Sequence, residues 1–378
     1  MKVLQVTTIS KTLEAFLLPL ADRLRSGGYI VDAAAEGILK SETVISKHNK
    51  VFEVNFSRNP KKIFTLIKAM LDIRKIIVSN AYDIVHVHTP VASFLTRLAC
   101  FGMKNVSVIY TVHGFHFIEG NSKWKNFVFI SLEKLASYFT DYMLLINEKD
   151  YNSAVRYSFL PKERLFLTGG VGVCTETYTV KDNLAISQAQ GFRPQNNDLN
   201  IIHVAELNHN KNHTVVLNAL CLLRKNLPCL KFRYMIVGMG PLEQELKLEV
   251  KELGLDDNVA FLGYRKDIPK LLASSDVFVL SSLREGLPRS IQEAMLNSLP
   301  VIASDIRGCQ DLLAQGGGFL VHPNDPVAWC RALTKLSIKE ERKEVALNSR
   351  KFIEDNYSFE TTLNQVQDIY EKIKIESN

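Results

Sequence analysis

Apolar residues fall into short, nearly unbroken runs, separated by longer stretches in which they recur every three or four positions. The first half holds KVLQV, YIVDAAA, DIVHVH, VSVIYTVHG and YMLLIN; the second holds LNIIHVAEL, FRYMIVGMG, NVAFLGY, VFVLSS and PVIASD. A strand that is apolar on both faces sits in a sheet covered on both sides, the situation of parallel strands joined by helical crossovers. The rhythm therefore predicts an α/β chain of two doubly wound, Rossmann-like domains, residues 1–180 and 199–357. Residues 181–198, polar and poor in large apolar side chains, read as the linker region. Residues 358–378 read as a last amphipathic helix, with Leu363, Val366, Ile369, Tyr370 and Ile373 on one side.

Composition narrows the class. A chain of 378 residues can bury two or three cores, and 46% hydrophobic with 23% charged residues excludes disordered or fibrous material. The six cysteines show neither a CxxC pair nor a compact framework, so they read as reduced thiols in a cytoplasmic protein, without a structural zinc. The N-terminal apolar run meets Lys11 and Glu14 too early for a signal peptide, and no run reaches the roughly 20 residues of a membrane span.

Charge is uneven. The net +6 divides into an excess of seven bases over residues 1–180 and an excess of one acid beyond them. Much of the basic charge lies at 58–77, where Ile63, Leu66, Ile67, Met70, Ile73 and Ile77 fall on one helical face beside Lys61, Lys62, Lys68, Arg74 and Lys75. Such a helix either packs on its own core or rests against anionic headgroups, and both hold if only the basic rim meets lipid. The charge is too modest, and lacks the aromatic platform, for a nucleic-acid partner.

Candidate chemistry concentrates in LREGLPRSIQEA, residues 283–294. It follows an apolar strand, and open α/β sheets bind ligands at their carboxyl ends. Pro288 suits the first turn of a helix expected over 289–297. The amides of Leu287, Arg289 and Ser290 then lie at a partly positive helix start that favours phosphate. Glu285 precedes this start, and Glu293 lies about 7–8 Å further along the axis. A carboxylate on each side of an anion site suits a diphosphate with hydroxyl-bearing groups at both ends, as in a nucleotide sugar. Two glutamates at this spacing also occur on ordinary surface helices, so the context carries the assignment.

That context resembles the retaining glycosyltransferases of family 4, which have the GT-B fold. The resemblance spans nearly the whole chain and includes HTPVASFLTRLA, YTVHGFHF, VGVCTETY, VAELNHNKNH, VGMGPLEQEL, FLGYRKDIPKLLASSDVFVLSSLREGLPRSIQEAM and GGFLVHPND. It is strongest toward transferases of capsule, O-antigen and exopolysaccharide assembly. The resemblance implies two domains facing a central cleft, with the last helix crossing back to the first. Glu293 would hold the ribose and Glu285 the donor-sugar hydroxyls. The helix start, with Gly286, Leu287, Arg289 and Ser290, would hold the diphosphate, helped by Lys211. His113 would reach the donor sugar from the other domain, which makes Glu285, His113 and Lys211 the catalytic set. Tyr264 and Arg265 would border the base, and Gly238 and Gly240 would form a close-approach turn beside the nucleotide. Thr8, Lys11, His88 and Phe115 fall on the acceptor side.

The implied activity is retaining transfer of a hexose or N-acetylhexosamine from a nucleotide sugar, UDP-linked by subgroup, to a polyprenyl-diphosphate-linked glycan. The enzyme would sit peripherally on the inner face of the plasma membrane, in contact with anionic lipid. Neither a metal nor a cofactor beyond the donor is expected, since cationic groups replace the metal and no acidic DxD arrangement asks for one. Three departures stand out: Glu206 replaces a frequent arginine, Cys174 a frequent aspartate, and TTISKTLEAF the usual glycine-rich first loop. Either Glu206 points away from the diphosphate or Arg289 takes over part of the charge. A sugar-nucleotide epimerase and a non-catalytic nucleotide-sugar or glycan-binding subunit stay open as alternatives. The first turn lacks GxGxxG, which argues against a dinucleotide oxidoreductase.

Overall fold

Every strand pairing in the computed structural model is parallel, and the pairings make two sheets. The described residues are 1–57, 59, 61–118, 120–178 and 199–376; the expected linker at 181–198 lies outside them. Contacts divide the chain into a first unit, Met1–Val171 with Phe359–Asn378, and a second, Gly172–Ser358.

The first unit contains β1 Lys2–Ile9, β2 Ile30–Glu36, β3 Val51–Glu53, β4 Ile84–Val87, β5 Ser107–Val112, β6 Tyr142–Leu145 and β7 Leu165–Leu167, in the order β3-β2-β1-β4-β5-β6-β7. The central strands are buried along their length, as their unbroken apolar runs require. On one side the core gathers Val6, Val85, Tyr110 and Met143 against Ile73, Ile77, Leu95 and Ala99. On the other, Val3, Ile84, Ile109 and Leu144 meet the last helix, Phe359–Glu376, through Val366, Ile369, Tyr370 and Ile373. Gln365 and Glu371 add bonds to the Gly169 amide and the Tyr29 hydroxyl.

The second unit contains β8 Leu199–Val204, β9 Phe232–Val237, β10 Val259–Gly263, β11 Val277–Leu280, β12 Val301–Ser304 and β13 Gly318–Val321, ordered β10-β9-β8-β11-β12-β13. Three strands are missing from the sequence reading: β3, β7 and β13. Each has three or four residues and lies at a sheet edge, where β3 and β13 are only partly buried and the surrounding sequence gives no long apolar run.

The basic helix spans Ile63–Asn80, and its inner face is rotated from the expected one. Ala69, Ile73 and Ile77 are buried, while Ile63 and Ile67 turn outward with Phe64, Leu71 and Val78. Leu66, Met70, Ile73 and Ile77 of the expected face do pack on the core, so periodicity finds the stripe but misplaces one edge of it.

Candidate functional site

The second unit's site is built where β11 ends. Ser281 and Ser282 close the strand, residues 283–288 cross its carboxyl edge, and a helix runs Arg289–Leu296. Pro288 occupies the N-cap with extended backbone, not the first helical turn. Among the described residues no side chain caps this helix start, where amide donors and the positive end of the helix dipole favour an anion.

Lys211 arrives from the loop after β8. The Asn208 side chain accepts from the Lys211 amide at 3.2 Å, and Asn212 adopts left-handed backbone, φ 48°. The Ser281 hydroxyl donates to the carbonyls of Lys211 (2.8 Å) and Asn212 (2.9 Å). The Leu283 amide donates to the Asn210 carbonyl at 2.7 Å, and the Asn210 side-chain amide donates to the Arg284 carbonyl at 2.9 Å. These bonds lock the two loops together, and Lys211 Nζ lies 2.5 Å from Glu285 Oε1.

A second pair lies on the helix: Arg289 Nε donates to Glu293 Oε1 at 3.0 Å. Both Glu285 and Glu293 are only 14% exposed. Burial raises the Glu293 pKa, against the lowering influence of Arg289 and a hydrogen bond from Tyr178. Burial, then the Glu293 charge, raises the Tyr178 hydroxyl. Each acid of the pair is thus bonded to a cation within the same site.

The far side is braced by the loop after β12. Arg307 Nε donates to the Glu285 carbonyl at 3.1 Å. Gly308 has φ 75°, and a Cβ there would stand 2.1 Å from the Gly286 carbonyl oxygen. Gly238 and Gly240 find a structural reason of the same kind. A Cβ on either would come within 1.9 or 2.2 Å of the carbonyl oxygens of Ala205 and Leu207, so they let the β9 turn pack onto the Lys211 loop. Glu206 is exposed and accepts from the Asn208 amide at 3.0 Å. Tyr264 is exposed, and Arg265 is bonded to Asp267 at 2.8 and 2.6 Å. Ser290 is half-buried on the first helical turn.

The first unit carries its own group at the carboxyl ends of β4 and β5. His113 Nε2 lies 3.4 Å from His88 Nδ1, and the His88 and His86 rings are 4.1 Å apart. His86 shares hydrogen bonds with the Tyr370 hydroxyl (2.8 Å) and Thr111 (2.7 Å). Burial lowers His86 to about 3 and His113 to about 4, and drives His88 down too, so all three are neutral at pH 7. They line a cavity of about 30 Å³ with Phe16, Thr168 and Gly170, toward which the loop replaced by TTISKTLEAF contributes. His88 Nε2 has no partner among the described residues. Thr8 is buried and bonded to Thr89 at 2.6 Å, while Lys11 is exposed. Phe115, expected on the acceptor side, is buried and stacked on Phe117 with centroids 4.7 Å apart.

Sequence reasoning missed Asn208, Asn210, Ser281, Tyr178, Arg307 and His86. The repeated Asn and His of NHNKNH and HVH signalled Asn208, Asn210 and His86 without specifying a partner, and nothing signalled Ser281, Tyr178 or Arg307. Among the described residues no group of three His, Cys, Asp or Glu could hold a metal ion, and no helix is long and apolar enough to cross a membrane.

Two parallel Rossmann-like sheets, of seven and six strands, define a GT-B architecture. Residues 4–147 match the family of glycosyl transferase 4-like domains, and 187–352 the glycosyl transferases of group 1. The putative glycosyltransferase EpsD of Bacillus subtilis is 33% identical over 98% of this chain and 96% of its own. The chain belongs to this glycosyltransferase family and is a glycosyltransferase. The UDP-Gal:alpha-D-GlcNAc-diphosphoundecaprenol alpha-1,3-galactosyltransferase of Escherichia coli is 28% identical, covering 80% of this chain and 79% of its own. Anabaena HepE, solved with UDP and glucose, shares the fold at TM-score 0.78 and 21% identity, over 98% of this chain and 100% of its own.

Proposed function

We propose that the chain transfers a hexose or N-acetylhexosamine, with retention, from a UDP-sugar to a glycan carried on polyprenyl diphosphate during surface-polysaccharide synthesis. The observation that carries the reading is the uncapped helix start at Arg289, flanked by two acid–cation pairs, Lys211–Glu285 and Arg289–Glu293. A diphosphate at this helix start competes for the Lys211 ammonium and leaves Glu285 to accept from sugar hydroxyls. Glu293, held in place by Tyr178 and Arg289, accepts from the ribose. Departure of the nucleotide places negative charge on the diphosphate, and fixed donors aimed at that charge lower the barrier without reorganising. Neutral His113 serves as a hydrogen-bonding group for a sugar.

The relatives support the substrate classes. The E. coli enzyme is named for UDP-galactose and a diphosphoundecaprenol acceptor, and HepE was solved with UDP. Metal is not required in this reading, because Lys211, Arg289 and the helix start supply the positive charge. A polyprenyl-borne acceptor places the enzyme peripherally on the inner face of the plasma membrane.

The test is a thermal-shift screen of nucleotide sugars, then transfer to a lipid-linked acceptor with and without EDTA. Stabilisation by UDP-sugars and EDTA-insensitive transfer are expected. Conversion of the donor with no acceptor present would mark an epimerase, and binding without turnover a non-catalytic subunit.

A further inference from the structure

The helix Lys123–Ser137 turns Phe129, Ile130 and Ala136 inward, yet its outer side is also apolar. Trp124, Phe127 with Val128, Leu132, Leu135 and Tyr138 recur every three or four residues along one side and all are exposed, Trp124 at 72%. The Trp124 and Phe127 rings stack at 5.7 Å. The helix Ile63–Asn80 repeats the pattern with Phe64, 90% exposed, Ile67, Leu71 and Val78.

Both helices flank the helix Pro90–Ala99 on one side of the first unit's sheet, since all three feed the same core. Arg74 of the first bonds the carbonyls of Ala99 and Phe101. Arg97 of the middle helix bonds Glu133 of the other at 3.1 Å. Their outer sides therefore belong to one surface. The two flanking helices carry six bases against Asp72 and Glu133; Arg74 and Lys134 bond backbone carbonyls, and Lys68, Lys75, Lys123 and Lys125 remain to face lipid.

We propose that this surface docks on an anionic bilayer, with Trp124 and Phe127 entering the headgroup region and the lysines meeting lipid phosphates. Aromatic rings with lysine at the rim suit the interface between water and hydrocarbon. Pairing with a second copy would bring like charges together, which argues against that occupant. In a parallel sheet the crossover helices run opposite to the strands, so the helix N-termini lie at the sheet's carboxyl end. Trp124 accordingly follows the same loop that begins at His113. The wedge thus stands at the end of the unit where a lipid-carried acceptor is needed. The inference deepens the proposed function and rests on its membrane-borne acceptor.

The chain has two tryptophans, and Trp329 is fully buried, so a change in emission on lipid binding reports Trp124. The full chain is mixed with vesicles of phosphatidylcholine alone or with phosphatidylglycerol. Sedimentation with the anionic vesicles and a blue shift are expected. Trp124→Ser with Phe127→Ser should weaken that binding about tenfold or more, as loss of two interfacial anchors requires, while the melting temperature and UDP-sugar binding hold. Undiminished binding by the double variant, or an unshifted Trp124, overturns the proposal. So does a chain that self-associates through these two residues and ignores vesicles. Docking as described without transfer to a polyprenyl-linked glycan would instead sink the proposed acceptor and leave the docking surface standing.

Discussion

At the residue scale, Lys211 is held by Glu285 at 2.5 Å in a site where both side chains are mostly buried. In the proposed function the ammonium makes a charge-assisted bond to the diphosphate, worth about 1.5–3 kcal/mol. Lys211→Met should therefore raise the Kd for UDP about ten- to hundredfold by calorimetry. Glu285→Gln should act differently: turnover falls, but UDP affinity holds or rises because a competitor for Lys211 is gone. Weaker UDP binding by that variant would contradict the assigned competition. Glu285 stood out in the sequence by its place before an expected helix start, and Lys211 only through the family resemblance; the structure brings the two side chains together. Tyr178 and Asn210 were not legible, because a tyrosine or asparagine shows its purpose only once its partner is in reach. Histidine burial gives a pH prediction as well. From an ordinary value of 6.5, His213 is lowered to about 4 and His203 well below that ordinary value, both chiefly by burial. Below 6.5 the unfolded chain binds protons that the fold refuses. Stability should thus fall as pH drops from 6.5 toward 4, by up to about 1.4 kcal/mol per pH unit per histidine. Urea midpoints measured across that window check the sign; a flat profile contradicts it.

At the element scale, the site depends on three loops meeting at the carboxyl edge of the second sheet. The loop of residues 283–288 is bonded to the Lys211 loop by Asn210 and Ser281 and backed by Arg307 and Gly308. Gly308→Ala would drive a methyl into the Gly286 carbonyl, so it should displace Glu285 and cost at least about 1–3 kcal/mol of donor affinity, as overpacking of a tight contact does. Gly316→Ala is the control: φ 99° strains it, but its Cβ meets nothing within 4 Å, so donor binding should hold. Equal UDP affinity in the Gly308 variant would show that this brace does not position the site. The central strands and the helix at Arg289 could be read from their apolar runs and from the Gly-Leu-Pro entry. The brace could not, because a glycine's need for close approach is set by a chain segment about twenty residues away. The inner face of Ile63–Asn80 was legible in part: Leu66, Met70, Ile73 and Ile77 pack on the core, while apolar residues on the outer side blurred its edge.

At the scale of the whole molecule, the last helix is part of the first unit's core, although it follows the second unit in the chain. Tyr370 is fully buried there, edge-on to Tyr29 and bonded to His86. Tyr370→Ala should destabilise the first unit by about 3–5 kcal/mol, the range for a large aromatic lost from a core, and denaturant unfolding followed by circular dichroism would show it. The amphipathic stripe of this helix is plain in the sequence, but a stripe says that a face is covered, not by what. Two parallel sheets were legible for a simpler reason: strands apolar on both faces admit few other architectures.

The central claim is that a nucleotide diphosphate binds where the chain turns into the helix Arg289–Leu296. A crystal structure of the complex with a UDP-sugar tests it most directly. The account predicts diphosphate oxygens about 2.7–3.2 Å from the amides at that helix start and from Lys211 Nζ, with the ribose hydroxyls on Glu293. Density for the nucleotide away from both Lys211 and Glu293 would contradict it.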